Sequence, residues 1–157
     1  MKKKQISTSQ EDYLEAILRI FNEKKGVRTK DIATMLEVRN SSVTSALKHL
    51  SNEGLIHYEK YGVISLTEEG EKMANYIWIR HQIIYFFFHH LLKIPHYQSK
   101  LIACQSEHAV TGLAFSRLLH YIQEHHPNEL DQYIQDRNIN PVYLQYYLDD
   151  CSDQESE

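Results

Sequence analysis

Apolar residues recur at helical spacing in three separated runs near the start of the chain. Tyr13, Leu14, Ile17, Leu18 and Phe21 form the first, which Ser9 is placed to cap and Gly26 to stop. Ile32, Ala33 and Leu36 form a short second run, capped by Thr29. A tight connection, Glu37-Val38-Arg39, leads to a third run that Asn40 or Ser41 caps. It extends to about Asn52, with Val43, Ala46, Leu47 and Leu50 facing inward and Gly54 ending it. Two short β-prone runs follow, Leu55 to Glu59 and Val63 to Leu66, around Lys60-Tyr61-Gly62, and predict a hairpin.

Three helices with a short turn between the second and third, then a hairpin, is the order of a winged helix-turn-helix. In that arrangement the third helix enters the major groove of double-stranded DNA. Its outward residues Arg39, Asn40, Ser41, Ser42, Thr44, Ser45 and Lys48 are short polar groups and two cations, suited to phosphates and base edges. Lys60 and Tyr61 of the hairpin turn complete the DNA-facing set.

The second half of the chain reads as all helical. Thr67 caps a long helix that can run to Leu92, where Tyr76, Trp78, Tyr85, Phe86, Phe87 and Phe88 wrap much of its circumference. So much apolar surface suits a core helix that also packs against a second copy of the chain. Pro95 breaks it. A helix from about Tyr97 to Ala109 and another from Thr111 to His125 follow, and Pro127 ends the latter. Beyond Asn128 lie two weak helical pieces split by Pro141 and an acidic end. The expected fold is mainly α, an N-terminal winged helix-turn-helix over residues 1–70 and an all-helical dimerisation domain over 71–127. Residues 128–157 form a C-terminal tail to which the sequence assigns no role.

Composition and charge sharpen this picture. With 42% hydrophobic and 24% charged residues the chain has the make-up of an ordinary soluble protein. No apolar run follows the basic start MKKKQISTSQ, and Arg80, His81, Gln82, His89 and His90 interrupt the longest apolar stretch, so neither a signal peptide nor a membrane span is expected. Two distant cysteines, Cys104 and Cys151, form no disulfide framework. A cytoplasmic location is expected. The net charge of −4 is unevenly spread: residues 1–66 carry 11 Lys and Arg against 8 Asp and Glu, a balance of +3, and residues 67–157 carry 6 against 13, or −7. A basic module facing phosphates and an acidic remainder with another task fit that asymmetry.

The acidic half holds a ligand-rich stretch, Cys104-Gln105-Ser106-Glu107-His108. On a helix turning about 100° per residue, positions 104, 107 and 108 share an arc of roughly 100°, so a thiolate, a carboxylate and an imidazole can converge on one ion. Asp12 and Glu15 likewise share a face of the first helix. Each residue has a plainer reading: acids in a first helical turn meet the dipole, a lone His81 is a hydrogen-bonded core histidine, and a lone cysteine is a small hydrophobe.

Five motifs, in order, carry a resemblance. They are Glu11-Asp12-Tyr13-Leu14-Glu15-Ala16-Ile17, Asn40-Ser41-Ser42-Val43-Thr44, Leu66-Thr67-Glu68-Glu69-Gly70, Arg80-His81 and Ala103-Cys104-Gln105-Ser106-Glu107-His108. Over about residues 9–126 the chain resembles the DtxR/MntR family of metal-dependent transcriptional repressors, in its short form without an SH3-like domain. The resemblance implies Asp12, Glu15, His81, Cys104, Glu107 and His108 as metal ligands, with metal lying between the DNA-binding and dimerisation domains. Asp12 matches the manganese-sensing branch and Cys104 the iron-sensing branch, so the set is a hybrid. Tyr85 stands where the iron branch has the acid of its ancillary site.

Carboxylates favour Mn²⁺, whereas thiolate and imidazole pull toward Fe²⁺, Co²⁺ and Zn²⁺. The expected cofactor is Mn²⁺ or Fe²⁺, with Zn²⁺ a third option. The expected function is a metal-activated homodimeric repressor of metal uptake or homeostasis genes, bound to an inverted-repeat operator. The rival within the same class is a winged-helix regulator sensing an organic ligand, its acid, histidine and cysteine cluster being structural. An enzyme is not expected: the cluster lacks an extra general base, and no hydrolase accounts for the helix-turn-helix.

Overall fold

The computed structural model describes residues 6–59 and 62–149, which fall into two compact units divided between Asn75 and Tyr76. In the first unit, α1 (Thr8–Lys24), α2 (Thr29–Leu36) and α3 (Asn40–Asn52) pack on one another around Leu14, Ile17, Ile20, Val27, Ile32, Val43, Leu47 and Leu50, all buried. Three of the expected caps are displaced, that of α3 falling on Arg39 with Asn40 and Ser41 already helical. Ser7, not Ser9, caps α1: its Oγ accepts from the Gln10 N–H at 3.3 Å, and the Gln10 side chain accepts from the Ser7 N–H at 2.7 Å. Only Ser7 has a glutamine three residues on that is long enough to reach back and close this reciprocal pair. For α2 the cap is Arg28, with Thr29 already helical, because the Asp31 carboxylate accepts from the Arg28 N–H at 3.1 Å. A hydrogen bond from Lys24 holds the Asp31 carboxyl below the usual carboxylate range.

Between α2 and α3 the chain turns through Glu37, whose left-handed backbone (φ 55°) closes α2. The short connection expected at 37–39 is thus a helix-turn-helix turn. On α1 the buried position is Ile20, while Phe21 is 41% exposed and lies beneath the Lys25 ammonium at 5.3 Å. The expected hairpin shrinks to β1 (Ile56–His57) and β2 (Ser65–Leu66), antiparallel with Ile56 opposite Leu66 and His57 opposite Ser65. Ile64 pairs instead with Val27, which ties the hairpin to the α1–α2 connection. Lys60 and Tyr61 lie outside the described residues.

The junction from this hairpin into the next helix leaves no spare room. Thr67 donates its N–H to Leu55 O at 3.0 Å and its hydroxyl to Gly54 O at 2.8 Å, while its Oγ accepts from the Gly70 N–H at 3.1 Å. Thr67 is therefore the cap of α4 (Glu68–Phe86) that its sequence suggests. Gly70 is pressed so closely onto the Leu55 carbonyl that a Cβ would sit 1.8 Å from its oxygen.

In the second unit α4 does not continue as a regular helix to Leu92. Phe87–Leu91 widen into a π-helical turn, with the Leu92 N–H reaching Phe87 O, and Lys93 then adopts left-handed backbone at φ 58°. Ile94 O draws the turn together by accepting from His89 Nδ1 and from the Ser99 hydroxyl. Then come α5 (His96–Ser106), α6 (Gly112–His125), α7 (Pro127–Asp136) and α8 (Pro141–Asp149). Pro127 and Pro141 open helices, where a fixed φ and a missing N–H cost nothing. Leu130, Tyr133, Ile139, Leu144 and Tyr147 from this end of the chain join Ile79, Ile83, Phe86, Phe115, Leu119 and Ile122 in one core. Tyr133 donates to Gln82 Oε1 at 2.9 Å, and burial pushes its phenol up to about 12. Tyr147 donates to Tyr76 O, and its own carbonyl accepts from the Ser116 hydroxyl. Among the described residues no helix is long and apolar enough to cross a membrane.

Candidate metal centre and nucleic-acid interface

The second unit brings three of the proposed ligands together on one carboxylate. Glu107 is 1% exposed; its Oε2 lies 2.6 Å from His81 Nδ1 and its Oε1 3.5 Å from His108 Nε2. His81 comes from the middle of α4. Glu107 and His108 sit where α5 ends, Glu107 being its C-cap, and the Ala109 and Val110 N–H groups both turn back to Ser106 O. The helix expected to run to Ala109 therefore stops at Ser106. His108 reaches the carboxylate from a turn and not along a helical face.

A buried acceptor-only carboxylate between two imidazoles is a set of nitrogen and oxygen donors that fits a divalent transition ion. Without a metal, an imidazole N–H can donate to Glu107. With one, each ligating nitrogen must present its lone pair, so the ring proton sits on the other nitrogen. Cys104 lies one turn earlier on α5 and is exposed. Its sulfur is not among the ligand atoms that lie within 4.8 Å of one another in the described residues. Asp12 and Glu15 stand on α1 in the first unit, and Glu15 Oε1 lies 3.6 Å from Arg19 Nη1. Cys151 lies outside the described residues.

Arg39 just before α3 and Asn40, Ser41, Ser42, Ser45 and Lys48 on it are all exposed. Thr44 is half-buried, and its hydroxyl donates to Asn40 O at 3.0 Å, within its own helix. The expected set omits His49, which lies with Ser42 and Ser45 along a groove beside the start of α1. The i, i+3, i+7 spacing of these three was the signal available for it.

Residues 5–64 match the iron dependent repressor N-terminal DNA binding domain, and residues 67–135 match the iron dependent repressor metal binding and dimerisation domain. An uncharacterised HTH-type transcriptional regulator of Methanocaldococcus jannaschii is 32% identical over 120 residues, 76% of this chain and 96% of the relative. The HTH-type transcriptional regulator MntR of Shouchella clausii is 40% identical over 76 residues, 48% of this chain and 53% of its own. Among solved structures, that of the manganese regulator SloR superposes with a TM-score of 0.64 at 25% identity, covering 74% of this chain and 54% of SloR. This chain thus spans about half of that longer protein. These matches cover both units and describe DNA-binding regulators, not enzymes. The chain belongs to the iron-dependent repressor family, the DtxR/MntR family of metal-dependent transcriptional repressors.

Proposed function

We propose that this protein is a homodimeric repressor whose DNA binding is switched on by Mn²⁺ or Fe²⁺. Its ion is held by His81, Glu107 and His108, with Cys104 beside them and Asp12 and Glu15 supplied by α1. The observation that carries this reading is the buried Glu107 carboxylate with an imidazole at each oxygen, inside the segment that matches a metal-binding domain. Zn²⁺ binds such donors tightly in vitro whatever the cellular signal is. Bound to ligands from both units, the ion restricts how the two α3 helices of a dimer are presented to successive major grooves. An inverted repeat with half-sites about one helical turn apart suits that symmetry. The metal must bind the DNA-competent arrangement more tightly than the open one, and each tenfold preference supplies about 1.4 kcal/mol of coupling.

Metal removal tests this directly. Fluorescence anisotropy on candidate operator duplexes should show binding with Mn²⁺ or Fe²⁺, loss on adding a chelator, and recovery when metal is restored in excess. Chelator-insensitive binding would instead favour an organic-ligand sensor. The place of Cys104 is read separately with Co²⁺. A thiolate ligand gives a sulfur-to-metal charge-transfer band in the near ultraviolet, which Cys104→Ser should remove and Cys151→Ser should leave intact. A Co²⁺ protein without the band leaves the ion to carboxylates and imidazoles alone.

A further inference from the structure

The start of α1 and the length of α3 border an open groove of about 560 Å³ in the first unit. Ser7, Ser9 and Gln10 line one side, and Ser42, Ser45 and His49 the other. Four serine hydroxyls, the Tyr13 phenol and an amide can each donate a hydrogen bond, and among the described residues no Asp or Glu lines the space. Such a lining suits a phosphate oxygen, and it lies along the helix expected to enter the major groove. Of the titratable groups, Tyr13 and His49 line the groove. The charged residues next along these helices are Glu11 and Asp12 on α1, Lys48 on α3 and Glu53 just past its end, and none of them lines it. His49 is exposed and occupies the last turn of α3, where the helix dipole favours a cation.

We propose that this groove seats a backbone phosphate of bound DNA with His49 as its titratable anchor, so that each protomer takes up a proton on DNA as the pH falls. The proposal rests on the DNA-binding reading above and adds to it a pH-sensitive contact. An imidazole is neutral at one end of the physiological range and cationic at the other. A charged hydrogen bond to phosphate strengthens binding, and by linkage the affinity rises wherever the complex holds more protons than the free partners. The contact carries no sequence information, so it acts on any duplex.

The test uses the full chain with saturating Mn²⁺ and a mixed-sequence duplex of about 40 base pairs, four helical turns. Anisotropy titrations are run near pH 7.5 and near pH 6, on either side of the ordinary histidine range. Wild type, His49→Gln and His49→Arg share the same metal ligands, so the pH dependence of metal loading cancels in their ratios. The advantage of wild type over His49→Gln should grow about tenfold or more on acidification. His49→Arg should hold its advantage over His49→Gln at both pH values. At the lower pH the salt dependence of wild type should be steeper than that of His49→Gln by about one counterion per protomer. Wild type and His49→Gln moving in parallel with pH would overturn the proposal. A wild type that fails to bind the duplex in low salt at either pH would instead overturn the DNA-binding reading. As a check independent of variant folding, NMR titration of the wild-type His49 ring should show its midpoint rise when duplex is added. An unmoved midpoint rejects the anchor.

Discussion

Glu107→Ala should lower divalent-metal affinity by at least about 100-fold, roughly 2.8 kcal/mol, and abolish metal-dependent DNA binding. The size follows from its position: it is the carboxylate that both His81 and His108 approach, and it is buried. Removing it takes away an anionic ligand and the group that orients two others. Glu107→Gln separates ligation from folding, since it keeps the shape and an acceptor for His81 while removing the charge. That variant should melt close to wild type in circular dichroism yet fail to bind metal in calorimetric titration. Asp12→Ala and Glu15→Ala should behave differently, retaining part of the metal affinity through the second unit's ligands while losing the response of DNA binding to metal. Metal-dependent DNA binding that survives in all of these variants would sink the bridging mechanism.

A comparable loss, of stability rather than of metal, is expected from Gly70→Ala. The new Cβ would meet Leu55 O at 1.8 Å and Leu55 C at 2.8 Å, both backbone atoms that cannot swing aside. Relief requires α4 to lift away from the strand connection, at the expense of the Thr67 N–H to Leu55 O and Thr67 hydroxyl to Gly54 O hydrogen bonds. Overpacking of this kind costs about 3 kcal/mol, enough to lower the melting temperature of a small domain by more than about 10 °C. Gly26→Ala is the matched control, because nothing lies within 4 Å of the place its new methyl group would occupy. Equal melting temperatures for the two variants would show that the junction tolerates displacement. The residue matters for function because this junction starts the helix that carries His81.

Local spacing in the sequence was enough for the three N-terminal helices, the turn at 37–39 and the Thr67 cap, which depend on residues three or four apart, and two β-prone runs around a turn were enough for the existence of the hairpin. The proposed ligands were legible through a family resemblance; helical spacing alone offered Cys104, Glu107 and His108 as equals. Tertiary structure separated them. Once α5 ended at Ser106, Glu107 turned into the interior beside His81, twenty-six residues away, while Cys104 stayed exposed. Periodicity has no access to such a pairing, because it depends on where α4 and α5 meet. The same limit explains α1, where Ile20 and Phe21 are adjacent and both apolar, and packing against α2 and α3 settled which is buried. It explains the π-helical turn, drawn in by the carbonyl of Ile94 from beyond the helix end. It also explains the chain beyond residue 127, whose weak helical pieces become core only when Tyr133 reaches Gln82 and Tyr147 reaches Tyr76. Short-range pattern determined which elements form; long-range burial of polar and aromatic groups decided which of their residues act together.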